Sequence, residues 1–213
     1  MINQEPSTKE RILAAALDMF SVDGYWTVSI RDIGKAVGIK ESSIYYHFKN
    51  KEEILHTLLQ QAEQVTHQRK QGFSEALSQV TEIKRELFVA AGVAYLEHYL
   101  LEERMYKLIL MLTLERQRNQ EAAAIYHRLL FAAPQEHQVR VFTVMIEQRL
   151  IAPADPEVLA AAYQALILYV FHKYFGSGVN GLTEAVRTEA RAELSALLNH
   201  YYDKMSLQGE NGR

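Results

Sequence analysis

Within ten residues, Ser42, Ser43, Tyr45, Tyr46, His47 and Lys51 gather hydroxyl, imidazole and ammonium groups. Side chains of this kind bond phosphate oxygens and base edges. Tyr45 and Tyr46 are adjacent, so at about 100° per helical residue they cannot both face a core, and an outward hydroxyl is placed to bond phosphate. Three other patterns carry a chemical suggestion that their context does not support. Gly176-Ser177-Gly178-Val179-Asn180-Gly181 matches G-x-G-x-x-G, but a dinucleotide loop follows a strand of a parallel sheet, and Leu159 to Phe175 reads as a helix. Tyr169 and Lys173 have the Tyr-x-x-x-Lys spacing of short-chain dehydrogenases without a nucleotide fold around them. The eight histidines include no His-x-x-x-His pair, and Glu52-Glu53 and Glu102-Glu103 read as solvated helix starts. No catalytic group, metal ligand set or cofactor is therefore assigned.

The elements that must hold the first cluster are well punctuated. Ser7 with Glu10 forms a capping box, and Ile12, Leu13, Ala16, Leu17 and Phe20 mark one face of a helix over about 8–22, stopped at Gly24. Ser29 with Asp32 opens a second, short helix with Ile30, Ile33 and Val37 inward, and Gly38 permits a sharp turn. A third helix is expected over about Lys40 to His47, with Ile44 and Phe48 inward. Asn50 with Glu53 caps a fourth that ends near Gln71, before Gly72. Two short helices joined by a Gly-containing turn outline a helix-turn-helix. An αα-hairpin without a DNA role has the same outline.

Beyond Gly72, longer and more apolar helices are expected at about 75–101, 103–117, 120–149, 156–175 and 183–205. Asp155-Pro156-Glu157 is a strong start signal, and Pro134 should kink or break the 120–149 segment. The class is all-α, about nine helices in total: an N-terminal three-helix helix-turn-helix domain over 1–51 joined to a helical ligand-binding and dimerisation domain over 52–213. A polar tail begins at Gln208.

The chain has 213 residues, 48% of them apolar, enough for one or two packed domains and too many for disorder throughout. The absence of cysteine removes disulfides, thiolate metal sites and a cysteine nucleophile. Net charge is −3, whereas seven bases against six acids leave residues 1–51 at +1, a weak asymmetry in the direction a nucleic-acid binder needs. Met1 to Ser7 has no apolar core of the kind a secretion signal needs, and a cytoplasmic protein is expected. The apolar stretch from Leu159 to Phe175 is shorter than a membrane span of roughly 20 residues and carries Gln164, His172 and Lys173, so a buried helix and no membrane partner are expected.

Asp32-Ile33-Gly34-Lys35-Ala36-Val37-Gly38-Ile39, followed by Ser43-Ile44-Tyr45-Tyr46-His47-Phe48-Lys49-Asn50-Lys51-Glu52-Glu53-Ile54, resembles the TetR family of bacterial regulators over about residues 8–59. Gly24-Tyr25 at the end of the first helix fits the same pattern. The resemblance implies that Tyr45, Tyr46, His47 and Lys51 meet the DNA backbone and that Arg31 reaches the groove. With Ser29, Lys40, Glu41, Ser42 and Ser43 these are the candidate DNA-contacting residues. Two departures stand out. Lys40-Glu41 leaves the third helix without its usual serine cap and puts an acid near DNA; Val28 replaces a common threonine.

The resemblance also implies a homodimer through the last two helices, binding double-stranded operator DNA and released by a small-molecule effector. Ala160, Ala161, Ala162 and Ala165, with Val186, Ala190, Leu194, Leu197 and Leu198, supply apolar stripes for such packing. The aromatic content of the body suits an apolar or amphipathic ligand, with Tyr95, Tyr99, Met111, Tyr126, Phe142, Met145, Tyr163 and Tyr169 as candidate pocket residues.

Overall fold

Ten α-helices and no named strand make up the residues described in the computed structural model: 5–78, 84–176 and 182–206, with the side chains of 65–78 excepted. They are α1 Thr8–Asp23, α2 Ile30–Val37, α3 Glu41–Ile44, α4 Lys51–Ser78, α5 Arg85–Tyr95, α6 Glu103–Glu115, α7 Gln120–His127, α8 Ala133–Glu147, α9 Pro156–Phe175 and α10 Glu184–Met205. Five-residue π-helical turns, Leu96–Leu100 and Arg128–Ala132, extend α5 and join α7 to α8. The glycine-rich motif, apart from Gly176, and the polar tail lie outside the described residues.

Three helix limits differ from expectation. Helix α4 runs through Gly72 to Ser78, and the next helix starts at Arg85 rather than near 75. Glycine inside a helix costs only about 1 kcal/mol, which a long helix absorbs where proline would not be tolerated. Helix α3 spans Glu41–Ile44 and gives way to a turn, in which the His47 and Phe48 amides both donate to Ile44 O, at 2.9 and 3.0 Å. Its N-cap, Lys40, supplies no side-chain hydrogen bond, as the missing serine implies.

Packing divides the chain into two units. The first joins Met1–Val65 to Glu103–Tyr126. There α1 packs on α2 and α6 through the buried Ile12, Leu13, Ala16, Leu17 and Phe20. Lys107 Nζ ties α6 to α1 through Asp18 Oδ1 at 2.6 Å. Arg11 donates to Val37 O at 2.7 Å, closing one orphan carbonyl at the end of α2.

The second unit joins Thr66–Glu102 to His127–Arg213. Helix α9 is its centre, packing on α8 and α10 while α10 packs on α5. By length and composition α9 could cross a membrane, but its Ala160, Tyr163, Ile167, Val170, Phe171 and Phe175 are buried inside this unit. Four of the residues expected at a dimer face, Ala160, Ala190, Leu194 and Leu198, are fully buried within the single chain. Ala161 and Ala165 are exposed, while Ala162, Val186 and Leu197 are half-buried.

Pro134 marks an interruption of the expected 120–149 helix, which divides into α7, a π-helical turn and α8. It sits at the second position of α8, directly after the π-helical turn. In a regular α-helix the amide of residue 134 would serve the carbonyl of Leu130, and proline has none to give. The buried Gln164 of α9 takes that role: its Nε2 donates to Leu130 O at 2.8 Å, and its Oε1 accepts from Gln138 at 2.6 Å. Gln164→Leu strands both groups and is expected to lower unfolding stability by about 1–3 kcal/mol. An unchanged urea midpoint would contradict this.

Candidate nucleic-acid interface

The Ser29 box is present: its hydroxyl accepts from the Asp32 amide, and the Asp32 carboxylate accepts from Ser29 N–H at 3.0 Å and from its hydroxyl at 2.5 Å. Those bonds hold the Asp32 carboxyl below its ordinary pKa, so it remains charged beside the positive end of α2. Gly38 takes φ 76°, ψ 31°, and the following Ile39 amide donates back to Gly34 O at 2.9 Å. That reversal brings α3 against α2, with Ile33, Val37, Ile44 and Phe48 buried between the elements of this unit.

With the apolar side chains spent inward, the polar ones face out. Arg31, Lys40, Glu41, Ser42, Tyr45, Tyr46 and His47 are exposed, and Ser43 is half-buried. Tyr46 is 90% exposed, a costly position for an aromatic ring in a free monomer and a natural one for a contact surface. Tyr45 is half exposed and aims its hydroxyl at Glu41 Oε1, 3.4 Å away, so the acid at the start of α3 already has a partner one turn on. Asn50 Oδ1 accepts from the Glu53 amide at 2.8 Å to start α4.

Lys51 is drawn inward instead of standing free. Its Nζ donates to Tyr25 O and Val28 O, each at 2.7 Å, and lies 4.2 Å from the Tyr25 ring centroid. Burial pushes its pKa down, opposed by the charge of Glu115. The ammonium thus fixes the loop between α1 and α2, and Val28, in place of threonine, is buried beneath it.

Two residues of this region were not singled out by sequence. Glu115 is buried and accepts the Tyr25 amide at 3.0 Å. It continues the spacing of the buried Leu108, Met111 and Leu112, so an acid on an apolar helical stripe was the available signal. Trp26 is 66% exposed at the tip of the same loop, edge-on to Tyr25 at 5.3 Å; a lone tryptophan in a loop gives no periodic signal.

The proposed pocket residues do not share one unit. Met111 and Tyr126 are buried in the first, where the Arg116 guanidinium lies 4.4 Å from the Tyr126 ring centroid. In the second, Tyr95 lies tilted against the buried Tyr99, with ring centroids 5.0 Å apart, and Met145 is buried. Phe142 and Tyr163 pack with Phe88 in an aromatic cluster, at 4.8–6.0 Å between centroids. The Tyr163 hydroxyl donates to Phe88 O at 3.2 Å, and burial raises its pKa far beyond the usual range, which keeps it a neutral donor. Tyr169 lies on the outer side of α9, 52% exposed. Lys173, four residues on, is bound to both carboxylate oxygens of Glu193, so the Tyr-x-x-x-Lys spacing ends in a surface ion pair.

A capped short helix, a left-handed glycine turn and an outward face of tyrosines, serines and an arginine define a helix-turn-helix protein with a larger helical body. Residues 12–58 match the family described as bacterial regulatory proteins, tetR family. Over 46 residues the chain is 48% identical to IcaR of Staphylococcus epidermidis, a negative transcriptional regulator of the biofilm operon icaADBC; the match covers 22% of this chain and 25% of that protein. The chain thus spans about a quarter of that curated relative. Two solved structures align along nearly the whole chain. One, from Mesorhizobium loti and assigned to the TetR family, has a TM-score of 0.69 and 18% identity and covers 94% of this chain and 97% of its own. The other, SmeT in complex with triclosan, has a TM-score of 0.67 and 18% identity, with 96% and 94% covered. At such identity the likeness establishes the fold. Residues 12–58 thus match the tetR family, and the chain shares its overall fold with these two structures.

Proposed function

We propose that this protein is a sequence-specific DNA-binding repressor that leaves a near-palindromic operator when a small apolar or amphipathic effector binds. Residues 1–51 form the DNA-binding domain in this reading and 52–213 the effector-binding and dimerisation body. The observation that carries it is the outward face of α2, α3 and the turn after α3, where Arg31, Ser42, His47 and an almost fully exposed Tyr46 all meet solvent while every large apolar residue of these helices is buried. Phosphate contacts from Tyr46 and His47 fix register, and Arg31 and Ser42 reach base edges. The Glu41–Tyr45 contact holds the acid away from phosphate.

Two copies are needed, because one short helix reads only a half-site. Their contact is assigned to the stripes that α9 and α10 leave outside: Val158, Ala161, Ala165 and Tyr169 on one, Ala185, Ala192 and Ala196 on the other. Effector release follows from linkage: a ligand that prefers the half-site spacing unfit for DNA shifts the dimer by its differential affinity. IcaR is a negative regulator, and SmeT has been solved with the largely apolar triclosan, which supports repression and this effector class.

Gel shifts at fixed moderate salt with DNA from beside the protein's own gene test the reading. Sequence-selective binding is expected, and Tyr46→Ala should weaken it by about tenfold or more with the fold intact. Equal affinity for unrelated DNA would overturn the proposal.

A further inference from the structure

The loop between α1 and α2 is gripped at both ends of one residue. Tyr25 N–H donates to Glu115 Oε1 at 3.0 Å, while Tyr25 O accepts from Lys51 Nζ at 2.7 Å. The two gripping groups come from different helices, the last residue of α6 and the first of α4. Lys51 adds a second bond to Val28 O, one residue before the N-cap of α2. Glu115 is 3% exposed, and a carboxylate so placed is costly unless bonds and an opposite charge compensate it. Here the Tyr25 amide supplies the bond and the Lys51 ammonium the charge. A Cβ built on Gly24 would stand 3.7 Å from Glu115 Oε1, so the carboxylate lies at contact distance from the loop. Aromatic packing completes the arrangement: Tyr25 is edge-on to Phe20 at 5.4 Å and to Trp26 at 5.3 Å.

We propose that Glu115 is a positioning residue for DNA recognition: with Lys51 it fixes the Tyr25 peptide, which sets where α2 begins and how Ser29, Arg31 and the α3 face meet the duplex. Tyr25 is four residues from the Ser29 cap, a span too short to absorb a shift of Tyr25 without moving the start of α2. Lys51 thereby acts through the loop as well as through any phosphate it meets. The affinity part of this inference rests on the DNA-binding reading; the loop part does not.

The sole tryptophan, Trp26, reports the loop directly in the free, full-length protein. Glu115→Met keeps most of the volume and removes the acceptor, whereas Glu115→Gln keeps an oxygen that accepts the same amide. In Glu115→Met, Trp26 should lose fluorescence anisotropy and become more open to acrylamide quenching, and operator affinity should fall about tenfold. Glu115→Gln should restore most of both. Lys51→Ala in the Glu115→Met background should cost less affinity than in the parent, since both groups hold one peptide. Unchanged Trp26 signals and affinity in a folded Glu115→Met would overturn the proposal, as would a Gln variant no better than Met. If Glu115→Met does not fold, Glu115→Gln decides alone: parent-like Trp26 signals and affinity support the acceptor role, and their loss overturns it. A parent that shows no operator selectivity would fail the DNA reading, and the Trp26 comparison would still decide the loop.

Discussion

Arginine placed at both Ala165 and Ala192 is expected to yield a folded monomer whose operator affinity is lower by about a hundredfold or more. Both alanines are exposed on the single chain, so the longer side chains meet solvent there and cost the protomer little. In the proposed dimer they stand where small residues let helices approach closely, and four arginines across one two-fold interface would be desolvated without partners. Separated protomers lose the second half-site, and with it an avidity of about 10²–10⁴. Sedimentation equilibrium with gel shifts reads both parts. A variant that stays dimeric and binds as the parent does would move the interface elsewhere. The matching change at Ala190 or Leu194 would not test this, because those residues are buried in the chain's own core and the protomer itself would unfold.

Phe142→Ala is expected to lower unfolding stability by about 3–5 kcal/mol, the range for removing a fully buried phenyl ring. Its ring lies 6.0 Å from those of Phe88 and Tyr163 and 6.4 Å from that of Tyr201. Tyr163 and Tyr201 are anchored by hydroxyl bonds to Phe88 O and Leu159 O, so the cluster has little freedom to collapse into the space left. Burial pushes the Tyr201 hydroxyl up to about 12, which keeps it a donor throughout the neutral range. Helix α5 comes so close at Gly92 that an added Cβ would fall 2.7 Å from the Tyr163 hydroxyl and collide with Leu198 Cδ1. A loss below about 1 kcal/mol in chemical denaturation would instead mark Phe142 as the wall of an open site.

What was legible in the sequence was the chemistry a short window can hold. Ser7 with Glu10, Ser29 with Asp32 and Asp155 before Pro156 each cap a helix through bonds spanning at most three residues, and each forms as expected. Gly38 reads as a left-handed turn because backbone sterics exclude most alternatives. The same locality fails where a distant partner decides. Pro134 reads correctly as an interruption, but nothing near it shows that Gln164, thirty residues on, takes the carbonyl that the proline leaves open. Lys51 looks like a free cation at a helix start; its partners are carbonyls of the α1–α2 loop. Ala190, Leu194 and Leu198 form an apolar stripe that serves a dimer or a chain's own core equally well by pattern. Only the packing of α10 on α5 and α9 assigns them to the core. Glycine at 72 weakens a helix without the power to end it.

Hydroxyl-radical footprinting of the DNA beside the protein's own gene, with the stoichiometry of the complex measured alongside, decides whether a dimer reads a near-palindromic operator. Two protected, near-symmetric half-sites are expected, their centres one helical turn apart, roughly 34–36 Å, or a small multiple of it, covered by paired protomers. Protection that follows no sequence, or a single protected site held by one protomer, would contradict that expectation.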